Sequence, residues 1–130
     1  MGKKSAPRRA KETEAMAIAK NMRISPRKLG LVAGLIRGKS CESALAELAF
    51  SRRRISNDVR KVLQSAIANA ENNHQLDVDK LYVAEVSVGR AFALGRFRPR
   101  ARGRVAGVTK FYSHLTLVVR EREDVAQENA

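Results

Sequence analysis

Two stretches near the C-terminal end of the chain alternate apolar and polar residues. Such a period of two is typical of strands with one buried face, so the pattern predicts a long β-hairpin over residues 81–119. At about 3.3 Å per residue, the leg from Tyr82 to Leu94 would span about 40 Å, whereas a chain of this length has a radius of gyration of about 14 Å. The hairpin tip is therefore predicted to protrude. The apolar positions are Leu81, Tyr82, Val83, Val86 and Val88, then Val105, Val108, Phe111, Leu115, Leu117 and Val119.

A third strand and three helices are predicted upstream of the hairpin. Residues 14–24 alternate through Met16, Ile18, Met22 and Ile24, which predicts a strand. Ser25 and Pro26 suit the cap and first position of a helix ending near Gly38. Ser40 caps a second helix, and Ser51 or Ser56 begins a third that ends at residues 72–74. The apolar positions expected to be buried are Leu29, Val32, Ala33 and Ile36; Leu45, Leu48 and Ala49; and Ile55, Val59, Val62, Leu63, Ala66, Ile67 and Ala70.

These elements predict an α+β fold in which three helices pack on a small antiparallel sheet with a long protruding basic β-hairpin. Residues 1–12 form a basic N-terminal tail in this interpretation. Residues 13–121 form a single globular domain that includes the hairpin, and residues 122–130 form a polar C-terminal tail.

Positive charge is concentrated in the hairpin. Residues 86–120 contain no Asp or Glu but eight Lys or Arg, six of them between Gly89 and Arg104. The whole chain carries 26 bases and 13 acids, a formal net charge of +13. This balance indicates nucleic acid or an anionic membrane as the partner. With 5% aromatic residues and no Trp, contacts to phosphate are favoured over extensive base stacking.

Few residues suit catalysis, metal binding or membrane insertion. Cys41 is alone and expected to be a small buried side chain, and His74 and His114 lie 40 residues apart, so no disulfide, metal site or cofactor is predicted. No apolar run reaches the ~20 residues of a membrane span, and the N-terminal segment lacks the apolar core of a signal peptide. We expect a cytoplasmic protein without membrane insertion.

Two partial enzyme motifs are better explained structurally. Residues 33–40 fit a loose phosphate-loop pattern, but they fall at the end of a predicted helix instead of between a strand and a helix. Residues 25–28 match S-x-x-K without its companion motifs. We therefore predict that the protein is not an enzyme.

Several basic or glycine-containing patterns favour an outside partner. Arginines at 96, 98, 100, 102 and 104 alternate and would share one face of a regular strand, with Pro99 and Gly103 bending the tip. Arg52, Arg53 and Arg54 are placed at the start of the third helix, where the helix dipole disfavours cations; they contact a partner or are simply solvent-exposed. Glycines at every fourth position from 30 to 38 give a smooth face for another helix or for an RNA backbone.

Three separated strings resemble one family. ISPRKLGLVAGLIRGKS at 24–40, VRKVLQSAIANAENNH at 59–74, and RPRARGR followed by SHLTLVV resemble the bacterial large-subunit ribosomal protein L twenty-two, the exit-tunnel hairpin family, over residues 12–121. The resemblance implies a structural constituent of the large subunit that binds 23S ribosomal RNA and supports assembly. Its hairpin would line the nascent-peptide exit tunnel near the macrolide site. The implied partners are 23S ribosomal RNA, neighbouring ribosomal proteins near the tunnel exit and the nascent polypeptide.

A basic DNA-binding or chromatin-like protein is the alternative function, although the third helix carries Asp58 and Glu71 and has few base-reading side chains.

The expected contact residues follow from the charge pattern and the resemblance together. The expected tunnel-lining residues are Leu94, Gly95, Arg96, Phe97 and Arg98. The expected RNA contacts are Arg8, Arg9, Ser25, Arg27, Lys28, Lys39, Arg52, Arg53, Arg90, Arg96, Arg98, Arg100, Arg102, Arg104 and Lys110.

Overall fold

A three-stranded antiparallel sheet carries three helices on one face, as the computed structural model, which describes residues 2–123, shows. The sheet order is β1-β3-β2, so the last strand is central. The predicted α+β class is confirmed. The elements are β1 (Glu14–Met22), α1 (Pro26–Ile36), α2 (Cys41–Phe50), α3 (Ser56–His74), β2 (Leu81–Pro99) and β3 (Val105–Glu121), with single 3-10 turns at Val78–Lys80 and Ala101–Gly103.

Serine caps begin the first two helices as predicted. The Ser25 hydroxyl accepts a hydrogen bond from the Lys28 amide at 3.4 Å, and that of Ser40 accepts one from the Ser43 amide at 3.3 Å. Each bond satisfies a backbone donor that has no partner inside its helix. The third helix begins at Ser56 without a side-chain cap and ends at His74, and the next residue, Gln75, adopts a left-handed φ of 54°.

The core lies between the helices and the face of β3 that carries Leu115, Leu117 and Val119. All four predicted positions of α1 are buried, as are Leu48 of α2 and five of the seven predicted for α3; Val62 and Ile67 pack partly buried against them. Ala49 was predicted wrongly, because Ala44 is the buried alanine of α2 while Ala49 is exposed.

In the first half of β1 the buried residues are out of phase with the apolar alternation, whereas Met22, after the register shift, packs partly buried against the core. Ala15 and Ala17 lie under α3, whereas Met16 is 39% and Ile18 52% exposed. The third helix packs directly on β1, and its inward side also carries alanines, Ala66 among them. Small side chains on both elements allow close approach, so hydrophobicity alone misassigned the face.

Beyond the body the hairpin continues as a two-stranded ribbon. Strand β1 pairs with β3 only as far as Met22 opposite Ser113, and past that point β2 pairs with β3 alone. The register shift around Ala84 returns Val86 to the core face after Val83, as expected for a β-bulge. From residue 91 to Pro99 the ribbon spans about 26 Å at about 3.3 Å per residue, which agrees with the predicted protrusion.

The ribbon ends in a tight turn that divides the arginine series. The Arg100 amide donates to the Arg104 carbonyl at 2.8 Å, and Arg102 and Gly103 both adopt positive φ, 62° and 69°. Of the five alternating arginines only Arg96 and Arg98 lie in a strand. The alternation would place all five on one face only in a regular strand, and the bend expected at Pro99 and Gly103 interrupts that strand, so the turn redirects the other three.

Both ends of the described chain contact the body. The Arg8 guanidinium donates to the Glu14 carbonyl at 2.9 Å and lies 3.0 and 3.3 Å from the two ring nitrogens of His74. At the other end Arg122 lies over the Tyr82 ring. The predicted C-terminal tail falls mostly outside the described residues. Within residues 2–123, the helices are too short or too polar to cross a membrane.

Candidate nucleic-acid interface

A basic cleft of about 530 Å³ lies where the ribbon leaves the body. Its lining includes five cationic side chains and no carboxylate. A concave surface of one sign concentrates the electrostatic potential and attracts ions of the opposite sign. The five cations are Arg23, Lys28, Arg53, Arg54 and Lys110.

Four segments that are distant in sequence place these cations. Arg23 follows β1, Lys28 lies in the first turn of α1, Arg53 and Arg54 lie in the connection before α3, and Lys110 lies on β3. The arginines at 52–54 were predicted at the start of the third helix. They precede it instead, since α3 begins at residue 56. The three arginines therefore lie outside the first helical turn.

Hydrogen bonds fix the cleft walls to each other. The Arg54 guanidinium donates to the Arg23 carbonyl at 3.2 Å. The Ser113 hydroxyl, which is buried, donates to the Ile24 carbonyl at 2.6 Å. The segment between β1 and α1 is thereby held against β3, and its Arg23 lines the same cleft as Lys110.

A second hollow of about 340 Å³ adjoins the cleft. It is lined by residues 25–27, Arg90 and Phe111. The Arg90 guanidinium carbon lies 5.0 Å from the centre of the Phe111 ring, a cation–π contact that holds the side chain beside α1. Six predicted contacts therefore converge around the base of the ribbon: Ser25, Arg27, Lys28, Arg53, Arg90 and Lys110.

Other predicted contacts lie elsewhere. Arg8 is held against His74, and Lys39 forms an ion pair with Glu47, so the charge of Lys39 is partly neutralised within the protein. Arg9 and Arg52 are exposed but do not line the cleft. The remaining predicted arginines, from Arg96 to Arg104, lie along the exposed outer ribbon and its turn.

The five predicted tunnel-lining residues, 94–98, lie on β2 before the turn. Leu94 is partly buried against the partner strand, while the other four are exposed, and Phe97 is 85% exposed. They present an apolar ring between two arginines at the outer part of the ribbon.

Two residues of the phosphate-loop pattern, Gly38 and Lys39, form backbone hydrogen bonds with β2. The Gly38 amide donates to the Val83 carbonyl at 2.9 Å, and the Val83 amide donates to the Lys39 carbonyl at 2.9 Å. The Lys39 amide donates to the Ile36 carbonyl at 3.3 Å, so the amides of Gly38 and Lys39 are used within the protein instead of facing a nucleotide. This geometry agrees with the non-enzymatic interpretation.

The glycines in and just after α1 have open space beside them within the described residues. A Cβ added at Gly30, Gly34 or Gly38 would meet nothing within 4 Å among the described residues. The smooth face is therefore open to a partner, either a helix of another protein or an RNA backbone.

Sequence reasoning missed Arg23, Arg54 and an aromatic pair. Phe92 and Tyr112 stack with ring centroids 4.3 Å apart and planes inclined by 14°. Arg54 belonged to a basic run already singled out, and Arg23 precedes the capping serine by two residues, so proximity to known signals could have identified both. The aromatic pair depends on the register shift between Arg90 and Ala93, which no sequence pattern revealed.

The single cysteine of the chain is buried. Burial raises the pKa of the Cys41 thiol to about 11, in keeping with its predicted role as a small buried side chain. Within residues 2–123, no group of three or more His, Cys, Asp or Glu side chains is arranged to hold a metal ion.

Residues 17–120 match the family described as ribosomal protein L22p/L17e. The chain belongs to this family. It is 62% identical to the large ribosomal subunit protein uL22 of Rhodospirillum centenum over 130 residues, which cover 100% of this chain and 98% of that protein. Identity to the proteins of the same name from Rhodospirillum rubrum and Sinorhizobium medicae is 61% and 60%, over 97% and 95% of this chain and 100% and 95% of theirs.

Membership confirms the resemblance seen in the three sequence strings. This family member is a structural protein of the large ribosomal subunit and not an enzyme, and its location is the cytoplasmic ribosome. Ribosomal RNA and ribosomal proteins are its partner classes. The family favours this interpretation over the DNA-binding or chromatin-like alternative.

Proposed function

We propose that the protein binds 23S ribosomal RNA through the basic cleft and the ribbon, and that the outer ribbon lines the nascent-peptide exit tunnel. The observation that carries this proposal is the junction of two acid-free surfaces. The cleft lining has five cations and no carboxylate, and it opens at the base of a ribbon within a 35-residue segment that lacks Asp and Glu.

Each part has its own task. In the cleft, Arg53, Arg54, Lys28 and Lys110 come from three different segments of the fold, so a phosphate entering it meets donors from several elements. Guanidinium groups form paired hydrogen bonds with phosphate oxygens. The cleft anchors the body, and the ribbon then extends between RNA segments that neutralise its arginines.

We also propose that the predicted contacts of the body that lie outside the cleft bind RNA. Arg9 and Arg52 are exposed and free to follow RNA at the edges of the body, whereas Arg8 and Lys39 must first release His74 and Glu47. We expect these two to contribute least. By anchoring the body while crossing RNA segments, the protein would also support subunit assembly.

The outer ribbon is proposed to face the nascent polypeptide and neighbouring ribosomal proteins near the tunnel exit. Phe97 lies between Arg96 and Arg98 and is largely exposed. With Arg96 and Arg98 bound to phosphate, the Phe97 ring would form an apolar surface on a polar tunnel wall. Changes at 94–98 should then alter macrolide response.

Salt titration tests RNA binding. Each neutralised phosphate releases counterions with a log–log slope of about 0.7 to 0.9. Affinity for a 23S ribosomal RNA fragment should fall steeply with salt, and the double variant Arg53→Gln/Arg54→Gln should reduce the slope by about 1.5 to 2. Lys61→Gln/Arg122→Gln, which removes two charges outside the cleft lining, is the charge-matched control.

A nearly flat salt plot, or equal slopes for the cleft variant and wild type, would contradict the proposal. A DNA duplex of the same charge serves as competitor. If the duplex displaces the RNA fragment at equal concentration, the alternative of general DNA binding is favoured.

A further inference from the structure

We propose that the basic cleft holds an unpaired nucleotide, with its base stacked on Tyr112 and its phosphate bound by Arg53, Arg54 and Lys28. This inference rests on the proposed RNA binding and adds a ligand class to the cleft. In this proposal the cleft binds an unpaired base in addition to backbone phosphate.

The aromatic wall is the first observation. Tyr112 lines the cleft, and the Phe92 ring stacks against it with centroids 4.3 Å apart. The stack holds the Tyr112 ring in one orientation, so little side-chain freedom is lost when a base packs on it. Tyr112 itself is only partly buried, so its ring keeps surface on which a base can pack. A base gains stacking energy from such a ring whatever its sequence.

The size and charge of the cleft are the second observation. Its volume of about 530 Å³ lies within the range of about 300 to 1,000 Å³ that is typical of small-molecule pockets. A single nucleotide fits such a space, whereas a duplex can only lie across its mouth. The cations and the ring line the same cleft, as a ligand with a phosphate and an aromatic base requires.

An open strand edge is the third observation. Strand β3 is covered by β1 as far as Ser113. From Tyr112 to Val108 the same edge has no strand beside it among the described residues, and this segment forms one wall of the cleft. An uncovered edge presents backbone N–H and C=O groups, which can hydrogen-bond with the edge of a base.

A tryptophan reporter tests the site directly. The chain contains no Trp, so Tyr112→Trp introduces a single tryptophan in the cleft. Single-stranded oligoadenylate should bind and quench its emission, because a base stacks on the ring. Inorganic polyphosphate should bind without quenching, because it supplies charge but no base. Phe50→Trp is the matched reporter at a ring that is 88% exposed outside the cleft.

Affinity changes give an independent result. Tyr112→Leu should weaken oligoadenylate binding by about 5- to 100-fold and polyphosphate binding much less, while Tyr112→Phe should retain oligoadenylate affinity. Arg54→Gln should weaken both ligands. Thermal unfolding monitored by circular dichroism confirms that each variant is folded.

The outcomes separate the two proposals. The nucleotide site is wrong, while the proposed RNA binding stands, if both ligands bind the Tyr112→Trp variant and neither quenches its tryptophan. The same conclusion follows if oligoadenylate quenches the Phe50→Trp reporter as strongly as the Tyr112→Trp reporter. If neither ligand binds, the cationic cleft itself is inactive and both proposals fail.

Discussion

Arg120 of the central strand donates a 2.7 Å hydrogen bond from Nε to the carboxylate of Glu14 on the edge strand. The two residues are 106 positions apart and are directly paired across the ladder. Burial alone would raise the pKa of Glu14, but the hydrogen bonds and charges of Arg120 and Lys11 hold that pKa below its ordinary value. The pair therefore joins the first strand to the last.

Replacing Glu14 by Gln should lower the free energy of unfolding at pH 7 by about 1 to 3 kcal/mol, because the part-buried guanidinium of Arg120 loses its ionic partner. The folded-state pKa is depressed, so the stabilisation is complete above the unfolded value of about 4.3. It is lost as pH falls through the folded value. Urea unfolding of both proteins at pH 7, 5 and 3 should show the stability gap closing at acid pH; a constant gap would contradict the assignment.

Shortening the ribbon should leave the body stable. Leu94 and Lys110 are cross-strand partners, so residues 95–109 can be replaced by Asn-Gly, a two-residue hairpin turn. All the removed residues lie outside the core, and the unfolding free energy should change by no more than about 0.5 kcal/mol. Denaturant unfolding provides the measurement. A large destabilisation would show that the ribbon contributes to the body.

The same shortened protein should bind RNA with a weaker salt dependence. It loses five arginines between 96 and 104, which lowers the log–log slope by at most about 4.5 at about 0.7 to 0.9 per contact. Binding should persist, because the shortening removes Val108 and Thr109 from the cleft lining but leaves all five of its cations in place. Complete loss of binding at low salt would assign all contacts to the ribbon.

Leu63→Ala should destabilise the protein by about 2 to 5 kcal/mol, because it opens a cavity at the centre of the core. Leu63 is fully buried on α3, and domains of this kind have only about 5 to 15 kcal/mol in total. Gln64→Ala, at the neighbouring exposed position, is the control. Thermal unfolding should separate the two variants clearly; similar melting temperatures would contradict the core assignment.

Cys41 should resist alkylation in the folded protein. It is 3% exposed, and with a pKa of about 11 almost no thiolate is present at pH 8. Mass spectrometry after iodoacetamide treatment should show little modification without urea and complete modification in urea, where the ordinary pKa returns. Equal rates in the two conditions would be inconsistent with burial.

Much of the fold was predictable because it depends on local physics. Ser25 and Ser40 cap helices through bonds that span only three residues, and the core stripe of α3 repeats at the period of one helix. The protruding hairpin followed from strand length, and the acid-free segment identified the surface that needs an anionic partner. These features belong to contiguous residues, so the order of the chain contains them.

Tertiary structure decided the features that join distant segments. The burial of Ala15 in place of Met16 depends on how closely α3 approaches β1. The cleft exists because β1 stops at Met22 while β3 continues, which brings Arg23 and Arg54 to Lys110. Periodicity reports how often a side chain faces inward, but it does not report which elements cover that face. The sequence by itself therefore determined the elements and their charge, whereas packing determined which distant side chains share a site.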